Sequence, residues 1–209
     1  NQILADLADA ISVLPEKSEY SGNDIGRATK GAAKALLAKV YLFLHDYENA
    51  EKYALEVINS HQYDLEPLFS DAFSILNEHG IESVFEVGAV GQEGIENGGN
   101  QYANVQGVRG TPNRGWGFNR PSLDLINSFE ANDPRKDATV IFLGEVLDGV
   151  TILGDGKTPD ETYDSQGNLI EIECYNQKVW TPGKTVPPSF GHNRRIIRFA
   201  DVLLIAAEA

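Results

Sequence analysis

At 209 residues the chain is long enough for one large domain or two small ones with a sizeable core. Hydrophobic residues make up 42% and charged residues 23%, the ordinary balance of a soluble globular fold, and no run approaches the roughly 20 apolar residues of a membrane-spanning helix. A formal charge of −14 repels nucleic acid and anionic lipid, and a single cysteine, Cys174, excludes an internal disulfide framework and an all-cysteine metal site.

The first third reads as helical. Ile3, Leu4, Leu7, Ala8, Ala10, Ile11 and Leu14 place an apolar face on a first helix, which Pro15 stops. After a polar stretch with Gly22 and Gly26, a second helix is expected from about Thr29 to Leu44. It is apolar around most of its circumference, which predicts burial on several sides. His45 and Asp46 make a short break, with Asp46 as N-cap, and a third helix carries Tyr47, Ala50, Tyr53, Ala54, Val57 and Ile58 on one face. The spacing Leu37-Ala38-x-x-Tyr41, then Tyr47 and Ala50, fits the tetratricopeptide pattern of small residues where two helices cross closely.

The texture then changes. Ile81 to Val90 alternates enough for a strand, and Gly91 to Gly110 reads as a long loop rich in Gly, Asn and Gln. A short helix is expected near Pro121, with Leu123, Ile126 and Phe129 facing inward and Pro121 at its first position. Asp133-Pro134-Arg135 opens a turn with Asp133 as a helix cap, and Thr139 to Leu143 reads as a strand. A polar, acidic stretch from Gly144 to Asn168 ends in a hairpin turn at Asp164–Asn168. Residues 169 to 180 are expected to form a further strand holding Cys174 as a small buried residue, and Pro182, Pro187 and Pro188 impose an extended loop. The last segment, Arg198 to Ala209, has helix formers at helical spacing with no Gly, Asn or Pro to close it. With no evident partner for its apolar stripe, it implies a piece of a longer protein and the opening helix of another unit. The expected organisation is a single domain fragment: helical over 1–80, an irregular and partly β insertion over 81–197, and the start of the next helix over 198–209.

No nucleophile–base pattern is present, and the four histidines at 45, 61, 79 and 192 have no metal-binding spacing. Asp133 and Asp137 form the pair to weigh against glycoside hydrolysis, and a structural role is favoured because Asp137 has Arg135 and Lys136 beside it. Asp148, Asp155, Asp160, Glu161 and Asp164 offer oxygens for Ca²⁺, but their order is not that of an EF-hand and such a charge run is usually a solvated face, so no cofactor is expected. The segment Arg109 to Pro121 carries the candidate chemistry. Trp116 stands between two glycines and near Arg109 and Asn119, a set suited to stacking under a sugar ring and bonding its hydroxyls. Tyr102 joins Trp116, Asn119 and Arg109 as the candidate ligand-binding set, with no catalytic and no metal residues. The competing reading folds Trp116 inward as the plug between the helical and inserted parts, and Trp180 is a weaker candidate.

Gly31-Ala-Ala-Lys-Ala-Leu-Leu-Ala-Lys-Val-Tyr41 with Tyr47 and Ala50 resembles the core repeat of the SusD/RagB family. Gly115-Trp-Gly117, Pro121, Phe129, Asp133-Pro-Arg135, Thr139 and the closing Arg198–Ala209 segment extend that resemblance in the same order along nearly the whole chain. It implies a mainly α fold of tetratricopeptide-like helix pairs, an α–α superhelix, with an irregular, partly β insertion carrying the binding loops. It also implies a non-catalytic surface lipoprotein of the outer membrane. Such a protein captures glycans or other nutrients and delivers them to a SusC-like TonB-dependent transporter, held by an N-terminal lipid anchor that is not among these residues. By the same resemblance, Arg198, Asp201 and Glu208 serve the helical packing. A tetratricopeptide-type protein-interaction scaffold without glycan binding is the alternative, and a glycosidase with its acid–base pair in the insertion is the third.

Overall fold

The computed structural model describes residues 2–89, 101–182 and 191–209. The part of the expected 91–110 loop before residue 101, and Pro187 and Pro188, lie outside the described residues. In chain order the helices are α1 (Gln2–Val13), α2 (Lys30–Phe43), α3 (Tyr47–Ile58), α4 (Tyr102–Gln106), α5 (Leu123–Ser128), α6 (Pro134–Asp137) and α7 (Phe199–Glu208). The strands are β1 (Ser83–Val87), β2 (Val140–Phe142), β3 (Val146–Leu147), β4 (Val150–Thr151), β5 (Glu161–Tyr163), β6 (Leu169–Ile172), β7 (Cys174–Asn176) and β8 (Arg194–Arg198). They divide between two compact units. The first is Asn1–Leu68, Asn77–Gly88 and Arg194–Ala209, and the second is Phe69–Leu76 and Ala89–Asn193. The strand expected at the start of the insertion therefore belongs to the helical unit.

In the first unit α2 and α3 form the expected hairpin. Thr29 caps α2 by accepting the Ala32 N–H at 3.0 Å, and Asp46 caps α3 by accepting that of Asn49 at 3.2 Å. Ala35, Ala38, Ala50 and Ala54 are fully buried, so the two backbones approach closely, and the Tyr41 and Tyr53 rings stack with centroids 5.8 Å apart. Burial of α2 is narrower than its composition implies, because Leu36 and Phe43 face solvent. The last helix does have a partner within the chain. Phe199, Val202 and Ile205 of α7 join Ala50, Ala54 and Val57 in one core, each buried large side chain contributing about 1.5–3 kcal/mol. Leu204, on another side of α7, remains exposed.

Arg198 is the last residue of β8 rather than the first turn of a helix. Its backbone N–H donates to the Asp201 carboxylate at 3.1 Å, and its guanidinium pairs with the buried Glu82. β8 runs antiparallel to β1, from Ser83 opposite Arg198 to Val87 opposite Arg194. Arg198 and Asp201 thus serve packing, whereas Glu208 is exposed. Three of the four histidines, His45, His61 and His79, hold positive φ at turns, which accounts for their scatter.

The second unit is built on two-stranded ladders. β2 pairs with β7, β3 with β4 and β5 with β6, all antiparallel. Val108, Ile141, Ile152 and Tyr175 form one core, and Ile126, Val140 and Cys174 another. The single strand expected over 169–180 is broken. β6 follows β5, Glu173 turns inward with its N–H on the Asp160 carbonyl at 2.8 Å, and β7 then changes partner to β2 before a 3₁₀ turn at Gln177–Val179. Pro121 lies outside α5, because Ser122 takes the cap position and accepts the Leu125 N–H at 3.2 Å. Asp133 caps α6 as expected and its carboxylate is held by Arg135, leaving it no free role as an acid.

Cys174 is fully buried, and burial pushes its thiol up to about 11. At pH 8 the thiolate fraction in the folded protein is then about one in a thousand. The expected result is no reaction with an aromatic disulfide reagent until denaturant is added, followed by one equivalent of labelling. Rapid labelling of the native protein would contradict the buried placement.

Candidate functional site

The loop expected between Gly91 and Gly110 contains α4, and this short helix organises the candidate site. A helix leaves its last carbonyls without intrahelical donors. Here the segment 114–118 supplies them: Trp116 N–H donates to the Asn104 carbonyl at 2.8 Å and Phe118 N–H to that of Val105 at 2.9 Å. Gly117 N–H donates to the Gly107 carbonyl at 2.9 Å, and the Arg114 and Gly115 N–H groups both donate to Val108 at 2.8 and 2.9 Å. Five consecutive amides are therefore committed to one short stretch of backbone. The approach is close enough that a Cβ on Gly115 would sit 2.3 Å from the Asn104 carbonyl oxygen.

This clamp fixes the direction of Trp116. Its side chain is 48% exposed, and Phe118 beside it is 61% exposed. The two rings stand nearly perpendicular, at 83° with centroids 6.4 Å apart. Trp116 therefore does not fold into the core of its own unit, where Trp180 packs against Val108, Ile141, Ile152 and Tyr175. The Trp180 indole N–H donates to Asp148 at 2.7 Å, and the Arg114 guanidinium lies 4.9 Å from its ring centroid. Phe118 was not among the candidate residues; its place two positions after a glycine-flanked tryptophan was the signal available for it.

The other candidates hold the loop. Asn119 has positive φ, a conformation asparagine tolerates, and its amide donates to Gln106 Oε1 at 2.6 Å. Gln106 also accepts from Asn176 at 3.0 Å and donates to the Tyr102 carbonyl at 2.8 Å, so one amide ties α4, the loop and β7 together. The Arg109 stem runs beside Gly117, where an added Cβ would meet its Cβ at 3.0 Å. Its guanidinium is bound to Asp155 at 2.8 Å and to Thr158 at 2.5 Å. The Tyr102 ring lies against His192, with centroids 5.9 Å apart. The structure thus brings Trp116 together with Phe118; Asn119 and Arg109 are hydrogen-bonded to Gln106 and to Asp155 and Thr158, and Tyr102 packs on His192.

The acidic run is engaged locally. Asp155 accepts the Lys157 and Thr158 N–H groups at 2.9 and 2.8 Å, and Asp164 closes the β5–β6 hairpin through Gln166 and Asn168. No group of three or more His, Cys, Asp or Glu side chains placed to hold a metal ion is found among the described residues. Nor, among them, is any helix long and apolar enough to cross a bilayer.

These features describe a tetratricopeptide-like helical protein with a loop-rich insertion that displays solvent-facing aromatics. Residues 81–209 match the model of the SusD family, and the chain belongs to that family. It is 32% identical to SusD-like protein P2 of Formosa agariphila, over 96% of this chain and 44% of that protein. Among solved structures it is similar to surface glycan-binding protein A of Bacteroides thetaiotaomicron in complex with laminarihexaose. That likeness has a TM-score of 0.75 at 26% identity, covering 98% of this chain and 48% of the other. A laminarin binding SusD-like protein gives a TM-score of 0.76 at 26% identity, over 99% of this chain and 48% of its own. The chain thus spans less than half the length of these relatives.

Proposed function

We propose that the protein captures a glycan at the cell surface and delivers it to a SusC-like TonB-dependent transporter, as a lipid-anchored outer-membrane protein that binds without cleaving. The observation that carries the reading is the clamped, half-exposed Trp116 with Phe118 at its side. Leaving two large aromatic faces in water gains nothing for folding, whereas the C–H face of a sugar ring gains contact and sheds water on an indole. The rigid backbone under them limits the entropy lost on binding. The names of two structural relatives, both glycan or laminarin binders, support the ligand class and make laminarin the first probe.

In a titration of the intact protein against laminarin and a panel of plant and microbial polysaccharides, at least one should bind and none should be shortened. Trp116→Ala should weaken that binding about tenfold or more, the effect of removing an aromatic anchor, with an unchanged melting temperature. Absence of binding across the whole panel would overturn the reading.

A further inference from the structure

We infer that the glycan taken at this aromatic pair is uncharged, an inference that rests on the glycan-capture reading. An anionic polysaccharide, carrying uronate or sulfate groups, needs cationic side chains free to meet it. Three arginines lie close to the aromatic pair in sequence: Arg109 and Arg120 are each paired with a carboxylate, and Arg114 is buried. Arg109 is held by Asp155 at 2.8 Å. Arg120 is paired with Glu171 on β6. Arg114 is only 6% exposed and lies over the Trp180 ring; burial pulls its pKa down, with Asp148 partly offsetting that, and a polymer outside cannot reach it.

The carboxylate that holds Arg109 is ionised at neutral pH. Backbone N–H groups of Thr158 and Lys157 hold Asp155 down at about 2. The second unit also carries nearly twice as many acidic as basic residues. A uronate or sulfate brought to Trp116 would meet Arg109 already paired with Asp155, on a unit whose net charge is negative and whose surface charges are largely screened only beyond about 8 Å at physiological salt. One like charge near contact distance at a protein surface is enough to cost about tenfold in affinity. A neutral sugar needs only the aromatic faces, which are half-exposed among the described residues.

Matched probe pairs on the intact protein test this: laminarin against carboxymethylated laminarin, and dextran against dextran sulfate, with polygalacturonate and alginate as natural polyanions. The expected result is that a neutral glycan binds and its charged derivative binds about tenfold more weakly, with the gap shrinking as salt is raised. Glu171→Gln, which frees Arg120, should narrow that gap about two- to fivefold and leave the neutral affinity unchanged. A polyanion that binds as tightly as any neutral glycan, with affinity falling as salt rises, would overturn the inference while leaving glycan capture standing. A gap indifferent to salt would overturn its electrostatic basis. Binding to no glycan of either kind would overturn the capture reading itself.

Discussion

Replacing Gly115 with alanine should destabilise the second unit by about 3 kcal/mol or more and remove glycan binding with it. The new Cβ would stand 2.3 Å from the Asn104 carbonyl oxygen, 2.7 Å from the Gly107 nitrogen and 2.8 Å from the Gly107 Cα. All three are backbone atoms of the stretch that receives the amides of residues 114–118, so no side chain can swing aside to make room. The loop must lift off α4, and the bonds from Trp116 and Phe118 to Asn104 and Val105 go together. Gly149→Ala is the control. It has positive φ but nothing within 4 Å, so strain alone applies, about 1 kcal/mol, and binding should survive. Urea denaturation of both variants, with laminarin binding measured on each, makes the comparison. A Gly115→Ala protein as stable as the parent would show that the clamp is not as tight as described.

Arg198→Leu should cost the first unit about 3 kcal/mol, because it strands the Glu82 carboxylate in the interior without its countercharge. Glu82 is 5% exposed; its carboxylate pairs with the Arg198 guanidinium and accepts the Glu66 N–H at 3.0 Å, while its backbone carbonyl accepts the Phe199 N–H at 2.8 Å. The pair joins the residue preceding β1 to the last residue of β8, where α7 begins. Adding Glu82→Gln to Arg198→Leu removes the stranded charge yet keeps an acceptor for Glu66, and should recover most of the loss. The strong coupling between the two substitutions, read from thermal or chemical denaturation as a double-mutant cycle, is the diagnostic. Simple additivity would mean that Arg198 acts through other contacts.

What could be read from sequence divides by distance along the chain. The α2–α3 hairpin announces itself locally, in the alanines at 35, 38, 50 and 54 and the caps at Thr29 and Asp46, because helix pairing is decided by neighbours a few residues apart. The Asp133 cap is legible for the same reason. β8 was not foreseen, since its partner β1 lies on the far side of the insertion and no local pattern records that pairing. α4 was hidden because one and a half turns in a Gly- and Asn-rich stretch show no periodicity. At the candidate site, residue types pointed to Trp116, but its direction depends on carbonyls of α4. Arg109 and Asn119 looked free because Asp155, Thr158 and Gln106 are remote in sequence. Chemistry is written residue by residue; which groups are already spoken for is written in the fold.

Since β1 and β8 pair antiparallel, the chain leaves the helical frame and returns to it at adjacent points. The entropic cost of closing such an excursion grows slowly, by only about 0.6 kcal/mol for each doubling of length. The frame is therefore nearly indifferent to what lies between the two strands. The segment between the strands can be lengthened or trimmed at little cost to the α2–α3–α7 core. The same indifference invites engineering: residues 89–193, exchanged together with residues 69–76 of the same unit for the corresponding segments of another family member, could be grafted with β1 and β8 left in place.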